Sequence, residues 1–196
     1  MPQMYWFNEP RQWEVSQEAG LSMFVTPGTD YWRETHYGFT VDDGPFYYTQ
    51  LGGEFEVNVC ISADYRSRYD QMGLMIRINE QNWIKTGVEF VDGIINLSAV
   101  VTLGKSDWSI ISLDYYPEKV YLKAVRRLDA VEIFYSLDGK AYQMMRLAHF
   151  PDNVPVMAGM TAASPDGDGF RANFTDFSVK HLPDQRRQAW LTSNKS

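Results

Sequence analysis

Two neighbouring stretches, Gln71-Met-Gly-Leu-Met-Ile-Arg77 and Trp83-Ile-Lys-Thr-Gly-Val-Glu-Phe90, constrain the fold more than anything else in this chain. Each has the length and residue types of a β-strand, and the polar linker Asn79-Glu80-Gln81-Asn82 is short enough to make them an antiparallel hairpin. Side chains alternate between the faces of a strand, so Ile84, Thr86, Val88 and Phe90 point one way. Trp83, Lys85 and Glu89 point the other way, with Gly87 between the two charges. A ring, a cation and a carboxylate on one strand face exceed what packing requires. Lys85 and Glu89 are four residues apart, roughly 13 Å between Cα atoms in a strand, so they form no close acid/base dyad by themselves. They suit the two ends of an extended ligand, or cross-strand ion pairs on a solvated face. A one-residue bulge in the hairpin would bring Arg77 onto the same face.

The same rhythm runs through most of the chain. Phe55, Val57, Val59 and Ile61 line one side of a clean half-buried strand. Residues 4–12 read as irregular, Tyr31–Thr40 alternates weakly, and Asp42-Asp-Gly-Pro45 signals a turn. Asp138-Gly139 is a hairpin turn pair, since Gly accepts the positive φ that twist-matched turns need. Gly104–Trp108 reads as a loop before a strand over Ser109–Tyr115. About a dozen short strands with almost no helical period predict an all-β fold, a sandwich or barrel of antiparallel strands. No linker rich in Gly, Ser or Pro breaks the rhythm, so residues 1–182 are expected to form a single domain. Residues 183–196 are expected to be a polar tail with a short helix around Arg186–Leu191.

Composition narrows the function. The 196 residues carry a formal charge of −7, which argues against non-specific nucleic-acid binding and against docking on anionic lipid. No apolar run is long enough to span a bilayer and no basic-then-apolar leader opens the sequence, so the cytoplasm is the expected compartment. Cys60, the single cysteine, lies in a strand pattern and reads as a small buried hydrophobe. Asn96-Leu-Ser98 and Asn173-Phe-Thr175 match the glycosylation sequon but fall inside strand patterns. Aromatic residues make up 15% of the chain, with 12 Tyr and 6 Trp. Such residues suit pleated sheets, and Tyr and Trp also suit sugar contacts because each joins an apolar face to a polar handle.

Three further constellations stand out. Trp32, Glu34 and His36 share a face if Tyr31–Thr40 is extended, which would let Glu34 orient His36 as a general base. Asp107-Trp108, in a loop beside the sheet, would supply an acceptor and a stacking ring together, with Arg127 nearby; Asp107 equally suits a turn cap. Asp166-Gly-Asp-Gly169 offers oxygen ligands but lacks the later Glu of a calcium loop, so tight turns are the simpler reading. The three histidines, His36, His149 and His181, have no metal-ligand spacing, and neither a metal nor a cofactor is expected. A nucleophile elbow and a phosphate-cradling Gly loop are both absent. Glu89, Asp70, Asp107 and Glu132 are the carboxylates from which a glycosidase pair would have to be drawn.

Several short motifs occur together in one order: Tyr69-Asp-Gln-Met-Gly-Leu-Met75, Asn82-Trp-Ile-Lys-Thr-Gly-Val-Glu89, Val100-Val-Thr102 with Ser106-Asp-Trp-Ser109, and Tyr135-Ser-Leu-Asp-Gly139. With Thr35-His-Tyr-Gly38 and the segment from Ser164-Pro165 to Gly169-Phe170, the sequence resembles, over residues 5–180, the uncharacterised bacterial and fungal family that includes the fungal regulator-of-enolase protein. The resemblance implies a concanavalin A-like jelly-roll β-sandwich of two antiparallel sheets, a superfamily of lectins, glucanases and xylosidase accessory domains. The Glu-x-Asp-x-Glu strand of the glucanases is absent, so their activity does not carry over. The resulting expectation is a non-catalytic protein that binds a small polar ligand, most plausibly a carbohydrate, in a concave-sheet groove. Trp32, Trp83 and Trp108 would stack, Gln71, Lys85, Glu89, Asp107 and Arg127 would hydrogen-bond, and His36 would sit at the rim. The alternatives are a carbohydrate hydrolase or isomerase using Glu89 with Asp107 or His36, and a regulatory module that binds a protein partner.

Overall fold

A computed structural model describes residues 2–17 and 20–193. Among them, the strands form two seven-stranded antiparallel sheets and one small two-stranded sheet. The first large sheet has the order β1 (Tyr5–Phe7), β6 (Phe46–Leu51), β15 (Val156–Ala163), β8 (Gln71–Asn79), β9 (Asn82–Val91), β10 (Ile94–Leu103), β11 (Lys105–Ser112). The second has the order β14 (Gln143–His149), β13 (Ala130–Ser136), β12 (Val120–Arg127), β7 (Phe55–Ala63), β16 (Arg171–His181), β3 (Gly20–Phe24), β2 (Trp13–Ser16). The small sheet pairs β4 (Tyr31–Arg33) with β5 (Thr40–Asp42). A single helix, α1 (Gln185–Ser193), follows β16 and buries none of its residues.

Period-two patterning fixes how the large sheets meet. Met72, Leu74 and Ile76 on β8, Ile84 and Val88 on β9, and Leu97, Ala99 and Val101 on β10 face Val57, Val59 and Ile61 on β7 and Leu122 and Ala124 on β12 across one continuous core. At about 25 cal/mol per Å² of apolar surface, this burial is the main favourable term in folding. β8 and β9 are nevertheless buried along nearly their whole length, on both faces. Something therefore covers the side of the first sheet that faces away from the core.

The cover is the segment from Thr29 to Pro45, which carries β4 and β5. Arg77 of β8 grips Asp42 through two hydrogen bonds of 2.5 and 2.7 Å, and its guanidinium lies 4.7 Å from the centre of the Phe7 ring. The Tyr31 hydroxyl donates to the Gly44 carbonyl, 2.5 Å away. At the far side of the sheet the Arg33 amide donates to Ser106 Oγ (2.9 Å) and Arg33 Nε to the Gly104 carbonyl (3.0 Å). Beneath this strap Tyr31, Trp32, Phe46, Met75, Trp83 and Val100 make a second, smaller apolar cluster.

The hairpin register places Gln71 opposite Glu89, Gly73 opposite Gly87 and Arg77 opposite Trp83, with an irregularity between Arg77 and Asn79. Arg77 thus shares a sheet face with Trp83, Lys85 and Glu89. Three local readings of the sequence need correction. Tyr5–Phe7, inside a stretch expected to be irregular, pairs with β6 as an edge strand. Lys105–Trp108 is part of a strand and not a loop, because Gly104, at φ +78°, turns the chain in one residue and β11 starts at once. The extended run expected from Tyr31 to Thr40 stops at Arg33, and both Glu34 (φ +60°) and His36 (φ +64°) take left-handed turn conformations.

Candidate functional site

The strap covers only part of the outer sheet face. Beside it lies a cleft of about 500 Å³, lined on the strap side by Asp30, Trp32, His36, Tyr37 and Phe39. Its floor is Gln71, Lys85, Glu89, Val100 and Trp108, and its far wall is Arg68, Tyr69, Pro165 and Asp166. Each part is positioned by ordinary strand and loop chemistry. Lys85 and Glu89 are successive outward positions on β9 separated by Gly87, which adds no side chain to the trough. A Cβ at Gly87 would stand 1.9 Å from the Met72 carbonyl oxygen, and one at Gly73 would stand 2.0 Å from that of Thr86, so the hairpin admits no side chain at either position. Trp108 sits opposite Val100, one strand beyond.

The wall loops are held by a buried carboxylate. Asp70 is fully buried; its Oδ2 accepts from the amides of Arg66 (2.9 Å) and Ser67 (2.8 Å), and its Oδ1 from the Ser164 hydroxyl (2.6 Å). This one side chain ties the loop carrying Arg68 and Tyr69 to the loop carrying Pro165 and Asp166. Asp70 is thereby committed to structure. Among the described residues, no group of three His, Cys, Asp or Glu side chains is placed to hold a metal ion.

The floor contains two polar assemblies. In the first, Lys85 Nζ donates to Gln71 Oε1 and to the Tyr31 carbonyl (3.1 Å), and pairs with Asp30 Oδ1 at 3.5 Å. Gln71 Nε2 donates to the Tyr69 carbonyl (3.1 Å) and to Asp30 Oδ1 (3.3 Å). An amide has two protons, so Gln71 has spent its donors within the protein, and Lys85 directs two of its three to protein acceptors beside the Asp30 charge. In the second, Glu89 Oε2 accepts from Ser98 Oγ (2.8 Å) and Trp108 Nε1 (2.9 Å). Burial pushes the Glu89 carboxyl above the usual carboxylate range, with Lys85 and the two hydrogen bonds working the other way and Asp30 adding to the rise. Its second oxygen, Oε1, accepts no hydrogen bond from the described residues.

The sequence-derived candidates are distributed as follows. Trp32, His36, Gln71, Lys85, Glu89 and Trp108 line the one cleft. Trp83 does not: it is 1% exposed, packed edge-on against Tyr31 with ring centres 6.0 Å apart, and supports the strap from below. Asp107 points to the opposite side of β11 from Trp108 and pairs with Arg146 of β14 at 3.2 Å, linking the edges of the two sheets. Arg127 lies elsewhere on the second sheet and pairs with the buried Glu54 at 2.9 Å. Glu34 does not orient His36, because its carboxylate goes to Lys105 at 3.1 Å and the left-handed turn breaks the shared face. The His36 ring instead meets Tyr37 edge-on. Sequence reasoning missed Asp30, Tyr37, Phe39 and Tyr69. The density of aromatic residues between Tyr31 and Phe39 was the available signal, since so many rings are more than one short strand can bury.

Comparison with known proteins agrees with this architecture. Residues 6–182 match the family described as "Protein of unknown function (DUF1349)". The chain is 37% identical over 175 residues to "Regulation of enolase protein 1" of Saccharomyces cerevisiae, covering 89% of this chain and 87% of that one. A crystal structure of a functionally unknown protein from Saccharomyces cerevisiae superposes with a TM-score of 0.87 at 34% identity, over 92% of this chain and 97% of that one. More distant structures share the fold. The carbohydrate-binding module CBM66 from Bacillus subtilis has a TM-score of 0.60 at 15% identity over 92% of this chain and 98% of that one. The GH43 protein BlXynB from Bacillus licheniformis has a TM-score of 0.67 at 16% identity, where 89% of this chain covers 36% of the enzyme. Two stacked antiparallel sheets with these neighbours make a concanavalin A-like jelly roll, and the chain belongs to the DUF1349 family, alongside the yeast regulation-of-enolase protein.

Proposed function

We propose that the cleft on the outer face of the first sheet binds a small carbohydrate or a closely related polar metabolite, without covalent chemistry. One observation carries the reading: a preformed hollow of about 500 Å³ joins the aromatic side chains Trp32, Tyr37, Phe39 and Trp108 to a 93%-buried carboxylate side chain with one unpaired oxygen. Apolar walls with a few directional polar groups are the usual composition of small-molecule sites, and sugars meet such walls through their C–H faces. The fold shared with a carbohydrate-binding module supports the reading. The lone, buried, unpaired Cys60 is in keeping with a cytoplasmic location. The test is a thermal-shift screen of mono- and oligosaccharides, repeated on Trp108→Ala. A sugar that stabilises the wild type and not the variant is the expected result. A panel in which no sugar shifts the wild type would remove the proposal.

A second reading has its own observation. A buried carboxyl with a raised pKa is a candidate general acid, and Asp30, whose carboxylate is close enough to add to that rise, shares the cleft. The enzyme version therefore rests on Glu89 with Asp30. Asp107 points away from the cleft, and His36 stands at its rim. Turnover of a bound sugar, abolished in Glu89→Gln with binding retained, would establish it.

A further inference from the structure

Which chemical class of ligand the floor accepts follows from where its donors and acceptors are already used, and it rests on the sugar-binding reading above. Lys85 Nζ donates two hydrogen bonds to acceptors of the protein and ion-pairs with Asp30, and both protons of the Gln71 amide are hydrogen-bonded. The Trp108 indole N–H is likewise directed to Glu89 and Ser98. The floor therefore offers an anionic group little beyond the Lys85 charge, which Asp30 already faces. Its unspent capacity is in acceptors. Glu89 Oε1 and Asp30 Oδ2 receive no hydrogen bond from the described residues. Neither is among the sealed, unpaired side-chain atoms, which are Trp6 Nε1, Arg77 Nε and Arg146 Nε. Both oxygens are thus unsealed, on residues that line the cleft.

Charge points the same way. Two carboxylate side chains, Asp30 and Glu89, stand against the single ammonium of Lys85 in this part of the cleft. The Arg68 guanidinium is held at the wall between Asp92, 3.3 Å away, and the face of the Tyr69 ring. The rings between the floor and the solvent on the strap side are those of Trp32, His36, Tyr37 and Phe39, with Tyr37 and Phe39 stacked at 5.8 Å. Carboxylate oxygens below and aromatic faces at the side are the surroundings that favour a cation, since ring faces are electron-rich and attract positive charge.

We infer that the cleft takes a donor-bearing, cationic polyol, an amino sugar or amino polyol, with its ammonium between Glu89 Oε1 and Asp30 Oδ2, and that it rejects phosphorylated and carboxylated sugars. The anionic ligand fails because it would set a like charge against two carboxylates, with the floor's ammonium already facing Asp30.

The test uses the full chain and three single-ring probes of one shape: glucosamine, glucose and glucuronate. Binding is followed by ¹H–¹⁵N spectra at a pH where the amine is protonated. The indole N–H of Trp108, assigned from Trp108→Phe, reports at the floor because it donates to Glu89. Glucosamine is expected to bind about tenfold tighter than glucose, with glucuronate weakest, as one favourable or unfavourable charge contact would give. In Glu89→Gln, which keeps the shape and removes the charge, the preference of glucosamine over glucose should shrink severalfold. Asp30→Asn should act in the same direction, giving a second variant if the first is unstable. Glucuronate binding as tightly as glucosamine would overturn this inference and leave the sugar site standing. Failure of all three probes and of their short oligomers would overturn the sugar site and this inference together.

Discussion

The buried Glu89 carboxyl makes the stability of the fold depend on pH. Its folded-state pKa lies above the ordinary value of 4.5 because burial disfavours the charged form. Between that value and the raised one, the folded protein binds more protons than the unfolded chain, so raising the pH through this window lowers stability. Glu89→Gln has no such proton to lose. The variant should therefore gain on the wild type as pH rises above the ordinary carboxylate value, a trend that paired urea titrations at several pH values would show. A difference independent of pH would mean that the carboxyl is not desolvated. Gly87 makes a second prediction at this scale. With a methyl group placed 1.9 Å from a carbonyl oxygen, Gly87→Ala must push β8 and β9 apart, and a loss of at least about 2 kcal/mol is expected in denaturant unfolding. A loss under about 0.5 kcal/mol would show that the hairpin has slack there.

Among the elements, the strap is the one that turns a sheet face into a cleft, and its anchoring is concentrated in a few contacts. Arg77 is 4% exposed and the Asp42 side chain is 24% exposed. Removing one partner of such a pair leaves a buried charge uncompensated, so Asp42→Ala should cost about 3 kcal/mol, the lower end of the usual range because Asp42 retains some solvent. The loss should be local as well as global, with hydrogen exchange accelerating first in β4 and β5. The same element marks how far sequence could lead. The alternation of β7, β8 and β9 was legible because each has one clearly apolar face set against the core. Three-residue strands such as β1, β4 and β5 carry too little pattern to read. The cleft was legible through β8 and β9, through Trp32 and His36, and through Trp108. Trp83 looked like a ligand contact because it shares a face with Lys85 and Glu89. The sequence has no local signal that a segment some fifty residues earlier lies over that ring.

At the scale of the molecule, the two sheets enclose the core and α1 sits outside it. No residue of α1 is buried; its described contacts with the sandwich include the Gln185 amide donating to Glu54 Oε1 at 3.3 Å and Arg186 pairing with Asp152. Truncation after Leu182 is expected to change unfolding free energy by less than about 1 kcal/mol, since surface contacts of this kind contribute little. A drop of several kcal/mol in the truncated chain would make the helix part of the folding unit. The acidic balance was plain from composition. Which side of the sandwich carries a cleft was not, because both sheets have alternating strands and only a long-range cover distinguishes them.

The grip of Arg77 on Asp42 has a kinetic consequence. A roof fastened to the sheet by a buried ion pair, by Tyr31 and by Arg33 does not need to close over a ligand, so the cleft exists in its binding form beforehand. Association should then be a single step, with an observed rate that rises linearly with ligand concentration and shows no plateau from a preceding rearrangement. In stopped-flow traces the Asp42→Ala protein, its roof loosened, is where such a plateau should first appear.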